Sequence, residues 1–205
     1  MKKVLLINGS PHNKGCTFTA LNEVAETLKK DGIATEIYHI GTKPVRGCIA
    51  CFTCMETGKC AFNDDAANEM ADKIKEADGV ILGSPVYFAG PNGALCALLD
   101  RVFMFCKPVL MGKVGASVVS CRRGGATATF DRLNKYFGSS SVHIIESQYW
   151  NCVHGMTPED VKKDTEGMQT MRTLGQNMAW VLQNIEKGGI ALPKLEEPVM
   201  TNFIK

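Results

Sequence analysis

The sequence lacks a long apolar run, and it lacks an excess of either charge. No apolar stretch approaches the ~20 residues that a membrane-spanning helix needs. The 23 basic and 21 acidic side chains leave a formal net charge of +2, so neither a basic nucleic-acid surface nor an acidic tail is indicated. We therefore expect neither a membrane nor a nucleic acid among the partners of this protein.

An export signal is also missing from the first residues. Lys2 and Lys3 resemble the charged start of a signal peptide, but the apolar stretch at 4–7 is shorter than the roughly 7–15 residues that such signals use. Turn-forming residues at 8–11 end this stretch. The sequence therefore predicts a cytoplasmic protein.

The composition is that of an ordinary globular protein. Hydrophobic residues make up 45% and charged residues 21% of the 205-residue chain, which excludes disordered, collagen-like and coiled-coil classes. A chain of this length fits one domain. We predict a single domain over 1–190 with a cysteine-rich loop at 44–63, followed by a C-terminal tail at 191–205.

Short apolar runs alternate with amphipathic stretches along the chain. The predicted strands are 3–8, 35–40, 78–84, 113–121 and 142–146. The predicted helices are 16–31, one that begins with Asp64 as its N-cap, 92–106, one around 130–137, and a last one from Thr157 to Gly188. Such alternation predicts an α/β fold with a five-stranded parallel sheet and helices on both faces. Ligands of such sheets bind outside the carboxyl ends of the strands.

The loop after the first strand, residues 9–17 (GSPHNKGCT), runs into a helix N-terminus. Free N–H groups and a partial positive charge at such a terminus suit a phosphate. Ser10 and Thr17 add hydroxyl donors, while Gly9 and Gly15 allow close backbone approach. The pattern differs from the Walker A and dinucleotide fingerprints. We predict a phosphate site here; the alternative is an ordinary strand-to-helix turn.

Two further strand-end loops contain residues that suit a flat cofactor. Residues 83–92 (GSPVYFAGPN) form a rigid, apolar lip that could stack on a heteroaromatic ring. The alternative is a hairpin-like turn in which Tyr87 or Phe88 is a core aromatic. Residues 120–126 (SCRRGGA) offer cations and backbone donors to an anionic ring edge, such as that of a reduced flavin. A solvated arginine pair is the alternative for Arg122 and Arg123.

Cysteine is the compositional outlier, with nine in the chain. Structural disulfides are rare in the cytoplasm, so metal binding or redox chemistry is the better explanation. Cys48, Cys51, Cys54 and Cys60 are separated by two, two and five residues, which approaches the spacing that ferredoxins use for a [4Fe–4S] cluster. A zinc site and a set of reduced or partly oxidised thiols are the alternatives.

Taken together, these motifs resemble those of the NADPH-dependent FMN reductases among the flavodoxin-like proteins. The residues that carry the resemblance are the first loop, the run 83–88 and the run 121–125. The cysteine run, followed by Asp64 and Asp65, is similar to that of iron–sulfur flavoproteins from anaerobic archaea and bacteria. Two positions depart from the family pattern: Cys16 stands where asparagine is frequent, and His12 where arginine is frequent.

The resemblance implies a flavodoxin fold with strand order 2-1-3-4-5 and bound FMN. The phosphate would lie in the first loop and the isoalloxazine between the other two. The candidate cofactor-binding residues are Ser10, His12, Asn13, Gly15, Cys16, Thr17, Pro85, Val86, Tyr87, Phe88, Gly90, Arg122, Arg123, Gly124 and Gly125. The four clustered cysteines would ligate the iron–sulfur cluster. The resemblance also implies a homodimer or homotetramer.

The function that we predict is an FMN-dependent oxidoreductase that relays electrons between FMN and a [4Fe–4S] cluster. NAD(P)H or a ferredoxin is the expected electron donor, although the sequence contains no recognisable pyridine-nucleotide fingerprint. A redox protein or a small molecule is the expected acceptor. Hydride transfer requires no acid–base side chain, so we predict no catalytic residue. The alternatives are an electron carrier without its own turnover and an NAD(P)H:FMN or quinone reductase without the cluster.

Overall fold

Strands and helices alternate along the chain, in broad agreement with the apolar patterns. The computed structural model describes residues 1–194 together with residues 196, 199 and 201. Its strands are β1 (Lys3–Asn8), β2 (Ala34–His39), β3 (Gly79–Tyr87), β4 (Gly90–Pro91), β5 (Val114–Cys121), β6 (His143–Ile144) and β7 (Cys152–His154). Its helices are α1 (Cys16–Lys30), α2 (Thr53–Thr57), α3 (Ala67–Glu76), α4 (Gly93–Leu110), α5 (Ala126–Gly138), α6 (Pro158–Lys163) and α7 (Thr165–Gly188).

The sheet confirms the predicted parallel order and adds two short strands. Its main path runs β2-β1-β3-β5-β6, which is the order 2-1-3-4-5 among the five expected strands. In the register, Val4 lies opposite Gly79 and Gly79 lies opposite Val114. The sheet has seven strands rather than five, because β4 pairs with β3 in a small hairpin and β7 pairs with β5.

The predicted fifth strand at 142–146 is interrupted. Only His143 and Ile144 pair with the start of β5, and the chain then leaves the sheet before β7 pairs with the end of β5. The Ser147 hydroxyl bonds the Tyr149 carbonyl at 2.6 Å and the Asn151 side-chain oxygen at 2.8 Å. These local bonds compete with strand pairing, so the excursion replaces a continuous strand.

The two faces of the sheet are covered by different helices. Leu5 and Ile7 of β1 pack against α3, α4 and α5, whereas Val4 and Leu6 pack against α1 and α7. This alternation follows from the two-residue period of a strand, and burial on both faces explains the continuous apolar runs in β1 and β3. The sheet therefore holds the strand ends, and the loops beyond them, in fixed positions.

Two helix starts differ from the prediction. Ala66, not Asp64, is the N-cap of α3. The last predicted helix is two helices, since Thr157 forms a capping box for α6 and Asp164 then caps α7 by accepting from the Gly167 N–H at 2.9 Å. A second good N-cap residue inside the predicted segment explains the break.

None of the described helices is both long enough and apolar enough to cross a membrane. The predicted tail at 191–205 lies partly outside the described residues. Within its described part, Leu192 lies over Gly112, where a Cβ atom would come within 2.5 Å of the leucine side chain.

Candidate functional site

Three loops meet at the carboxyl ends of β1, β3 and β5. An open cleft of about 290 Å³ lies between them, which is where open α/β sheets bind their ligands. The residues that line this cleft are Ser10, His12, Cys16, Thr17, Pro85, Val86, Tyr87, Ser120, Cys121, Arg122, Gly155 and Met156.

The first loop is held in shape by Asn8, a buried polar residue at the end of β1. Its side-chain amide donates to the Asn13 carbonyl at 3.1 Å, and its side-chain oxygen accepts from the Ser10 N–H at 3.1 Å. The Ser10 hydroxyl in turn accepts from the His12 N–H. Because these bonds are local, they curl the loop in front of the start of α1.

The start of α1 suits an anion. Its N-cap is Gly15, and among the residues that the structure describes no side chain caps the helix and no acid occupies its first turn. The first N–H groups therefore keep their hydrogen-bonding capacity, and the helix dipole favours negative charge there. A Cβ atom at Gly15 would lie 2.9 Å from the Cβ of His12, so the tight turn requires glycine.

Buried polar side chains connect the three loops. The hydroxyls of Thr17 and Ser120 lie 2.8 Å apart, which joins the first loop to the third. The Asn92 amide donates to the Gly9 carbonyl at 2.8 Å, which joins the second loop to the first. The Asn92 N–H also donates to the Ser84 hydroxyl at 2.9 Å. The cleft is therefore a preorganised site rather than a gap between independent loops.

The second loop is a hairpin that projects its aromatic side chains outward. Val86 pairs with Pro91 and Tyr87 pairs with Gly90. Phe88 and Ala89 at the tip have φ values of 49° and 58°, as both central residues of a type I′ turn require. The hairpin-like turn of the alternative interpretation is therefore present, but Phe88 is fully exposed and Tyr87 is 46% exposed, so neither is a core aromatic.

The third loop packs against this hairpin through Gly125. Gly125 has a φ of 86°, and a Cβ atom there would lie 2.8 Å from the Cα of Ala89. Only glycine accommodates both the backbone conformation and the close approach. Arg122, Arg123 and Gly124 precede it and are exposed. Both arginines therefore lie beside the cleft with solvent access.

The cleft brings together part of the predicted cofactor-binding set. The predicted residues that line it are Ser10, His12, Cys16, Thr17, Pro85, Val86, Tyr87 and Arg122. The other predicted residues lie in the same loops but outside the lining: Asn13, Gly15, Phe88, Gly90, Arg123, Gly124 and Gly125.

Several residues of the site were missed by the sequence interpretation. Asn8 and Asn92 shape the loops, and each is a polar residue at the boundary of an apolar element, which is the signal that could have identified them. Ser120 was recognised only as part of its loop. Gly155 and Met156 follow β7, a strand that the sequence did not predict.

The thiols at the cleft are not activated. Burial raises the pKa of Cys16 and also that of Cys121, so both thiols stay protonated near neutral pH. The Cys16 thiol faces the Gly155 carbonyl at 3.8 Å. A protonated thiol is a weak nucleophile.

The four clustered cysteines lie together in the segment that follows β2. Cys48, Cys51, Cys54 and Cys60 all line one cavity, together with Phe62, Arg101 and Met104. Ala50 and Phe52 have φ values of 52° and 57°, which turn the chain between successive cysteines. The Ala50 N–H donates to the Cys48 sulfur at 3.4 Å. The loop is thus curled so that its cysteines face a shared space.

Four thiols are the donor set of a [4Fe–4S] cluster and also of a structural zinc site. In the described part of the chain, no group of three or more His, Cys, Asp or Glu side chains lies close enough together to hold a metal ion. A [4Fe–4S] cube takes one thiolate at each of four corners, so its ligands stand further apart around a larger volume. Four cysteines around one largely apolar cavity offer that kind of donor set.

A parallel sheet of this order, with an uncapped helix start and an aromatic hairpin at the carboxyl ends of its strands, defines a flavodoxin-like protein. Residues 2–157 match the family model described as NADPH-dependent FMN reductase. Because this match covers more than half of the chain, the protein belongs to the NADPH-dependent FMN reductase family. It is accordingly a flavin-dependent oxidoreductase that uses FMN.

The chain is similar to curated proteins that are named either iron–sulfur flavoprotein or FMN reductase (NADPH). An iron–sulfur flavoprotein of Methanocaldococcus jannaschii is 36% identical over 197 residues, covering 90% of this chain and 100% of the relative. An iron–sulfur flavoprotein of Methanosarcina thermophila is 29% identical, covering 90% of this chain and 97% of the relative. An Escherichia coli protein named FMN reductase (NADPH) is 29% identical over 126 residues, covering 62% of this chain and 58% of the relative.

Solved structures agree with the fold. RosB, crystallised with 8-demethyl-8-formylriboflavin-5'-phosphate, superposes with a TM-score of 0.75 at 14% identity, covering 100% of this chain and 93% of that one. A flavodoxin from the domain Archaea has a TM-score of 0.58 at 13% identity, covering 89% of this chain and 99% of the other. At these identities the likeness establishes the architecture alone.

Proposed function

We propose that the protein is an iron–sulfur flavoprotein in which FMN and a [4Fe–4S] cluster exchange electrons. The observation that carries the proposal is that Cys48, Cys51, Cys54 and Cys60 line one cavity of a flavin-dependent oxidoreductase fold. The names of the two methanogen relatives, which the chain covers almost completely, support it. The cluster would be a one-electron centre alongside the flavin.

FMN would lie in the cleft between the three loops. The uncapped start of α1 and the hydroxyls of Ser10 and Thr17 would bind its phosphate, because they offer donors and no negative charge. The hairpin with Tyr87 would hold one side of the ring system, and Arg122 and Arg123 would face its anionic edge. When bound, FMN supplies hydride or single-electron transfer, and the chain supplies position and electrostatics.

The remaining assignments rest on the sequence and on the family resemblance. We propose that NAD(P)H or a ferredoxin-type protein is the donor, and that a redox protein or a small molecule is the acceptor. We further propose a cytoplasmic homodimer or homotetramer that folds as one domain over 1–190. No acid–base residue is assigned, since hydride transfer does not need one.

Anaerobic reconstitution tests the proposal directly. The protein is incubated with FMN, ferrous iron and sulfide, and its visible spectrum and metal content are measured. We expect one FMN and about four irons per chain. Cys51→Ala should lose the iron and keep the FMN, because the two sites share no residue. Cys96→Ala, a half-buried cysteine on α4 outside the loop, is the matched control and should keep both.

The same measurements separate the alternatives. FMN without iron in the wild-type protein would contradict the cluster and leave a reductase of the kind named for the Escherichia coli relative. Iron and FMN without steady-state NAD(P)H oxidation would indicate an electron carrier supplied by another protein. Failure to bind FMN at all would contradict the cleft assignment.

A further inference from the structure

Arg101 of α4 and Asp65, just before α3, form a buried ion pair outside the flavin cleft. Each side chain is only 2% exposed. Removing two charges from water is costly unless both are well bonded. Neither residue belongs to the cofactor-binding loops. Their surroundings therefore indicate what the pair does.

The Arg101 guanidinium hydrogen-bonds residues of the segment 46–65, which contains the four clustered cysteines. Nη1 and Nη2 donate to the two carboxylate oxygens of Asp65, the second at 3.1 Å. Nε donates to the Cys60 sulfur at 3.2 Å. Weaker contacts reach the carbonyls of Arg46 and Phe62 at 3.3 and 3.5 Å. One side chain on a long helix thus bonds the loop at four separate residues.

The geometry makes the contact with Cys60 directional. A guanidinium is a rigid planar fork, so Asp65, which engages Nη1 and Nη2, also fixes where Nε points. An arginine side chain stays protonated in proteins, so the bond to Cys60 is charge-assisted. The Cys60 backbone is held separately, because its N–H donates to the Asn68 side chain at 2.8 Å.

We propose that Arg101, locked in place by Asp65, is a positioning residue for Cys60: it anchors the cysteine-rich loop on α4, and it hydrogen-bonds the sulfur that Cys60 would offer to the cluster. The second half of this proposal depends on the proposed cluster, whereas the anchoring does not. A charge-assisted bond to a ligand sulfur raises the reduction potential of a cluster, because it stabilises the added electron.

Hydrogen exchange of the metal-free, FMN-bound protein tests the anchoring. In Arg101→Lys and Asp65→Asn, amide exchange over residues 44–66 should accelerate by on the order of tenfold or more, while exchange in β1 and β3 stays unchanged. Arg46→Lys is the matched control, since Arg46 pairs with Asp64 in the same segment but both side chains are exposed. Its exchange should stay within about twofold of the wild type.

Two results would overturn the anchoring. One is an unchanged rate over 44–66 in both Arg101→Lys and Asp65→Asn. The other is a global effect, seen either as an equal acceleration throughout the sheet or as loss of FMN. The pair would then stabilise the whole fold rather than the cysteine-rich loop. If Arg101→Lys does not fold, Asp65→Asn still decides, since it keeps the shape of the side chain while it removes the charge and replaces one of the two acceptor oxygens by an NH2 donor.

Reconstitution with iron tests the effect on the cluster. Arg101→Lys should give a cluster with a more negative reduction potential and an altered paramagnetic resonance signal, while the FMN potential stays constant. Full iron content with an unchanged cluster potential would overturn the bond to the ligand sulfur. Wild-type protein that takes up no iron would overturn this bond and the proposed function together, and the exchange measurement would still decide the anchoring.

Discussion

Buried hydroxyl and amide groups decide the shape of the cleft at the scale of single residues. Thr17 and Ser120 are 1% and 3% exposed, and their hydroxyls satisfy each other across two loops. A buried polar group that loses its partner retains its full desolvation cost, so each hydroxyl depends on the other. The Thr17–Ser120 contact is therefore a structural link at the end of the cleft where we propose that the FMN phosphate binds.

We predict that Thr17→Val weakens FMN binding and destabilises the protein. The substitution keeps the shape of the side chain, removes one hydroxyl and leaves that of Ser120 unpaired, which costs about 1–3 kcal/mol. Fluorescence titration should give an FMN dissociation constant raised by about tenfold or more. Thr27→Val is the control, because Thr27 bonds only the Glu23 carbonyl within α1 and lies away from the cleft. Equal affinities in the two variants would contradict the assignment.

The β3–β4 hairpin carries backbone strain at the scale of elements. Phe88 and Ala89 both adopt positive φ, a region that non-glycine residues avoid at a cost of about 1–3 kcal/mol each. The strain is retained at the lip of the cleft, where a fully exposed Phe88 is available to contact a ligand or a partner. The hairpin therefore lowers the local stability of the chain at the edge of the cleft.

We predict that replacing Phe88-Ala89 by Asn-Gly stabilises the protein and impairs its function. Asn-Gly favours the type I′ turn, so the free energy of unfolding should rise by about 1 kcal/mol or more, as measured by urea denaturation. Turnover or FMN affinity should fall because the aromatic lip is lost. Ser141→Gly, at another positive-φ position on the opposite edge of the sheet, should stabilise without affecting FMN. Unchanged activity in the hairpin variant would contradict a role for Phe88.

A charge network connects three elements at the scale of the whole molecule. Glu36 of β2 accepts from Lys3 of β1 at 2.8 Å and from Lys73 of α3 at 2.6 Å. The bonds from Lys3 and Lys73 lower the pKa of Glu36 below its ordinary value of 4.5. The folded state therefore favours the ionised carboxylate, which stabilises the fold above that pH and loses this effect as the pH falls through the lowered pKa.

We predict that Glu36→Gln is less stable than the wild type at pH 7 and that the difference disappears on acidification. Urea denaturation from pH 7 downward should show the two curves converging as the pH falls below the ordinary glutamate value of 4.5. Glu26→Gln, which breaks an exposed pair with Lys29 inside α1, should have little effect at any pH. A gap that persists into strong acid would mean that Glu36 acts through packing rather than charge.

Local periodicity accounts for what was predictable about the fold. The apolar runs of β1, β3 and β5 and the helical stripes between them are properties of neighbouring residues, so the parallel order of the sheet followed from their alternation and from the resemblance. The interruption of the fifth strand was not predictable from the sequence. Pairing with β5 competes there with hydrogen bonds inside the excursion around Ser147. That competition depends on geometry that a sequence pattern does not encode.

The candidate site also has features that were predictable from the sequence and features that were not. Its three loops and four cysteines were identified from the sequence, because turn residues, helix starts and thiol spacing are read along the chain. The sequence alone determined the α/β class and the chemistry available at each loop. Only the tertiary structure brought Thr17 to Ser120, Gly125 to Ala89 and Arg101 to Cys60, because these contacts join residues from distant segments and form only once the sheet and its helices have packed.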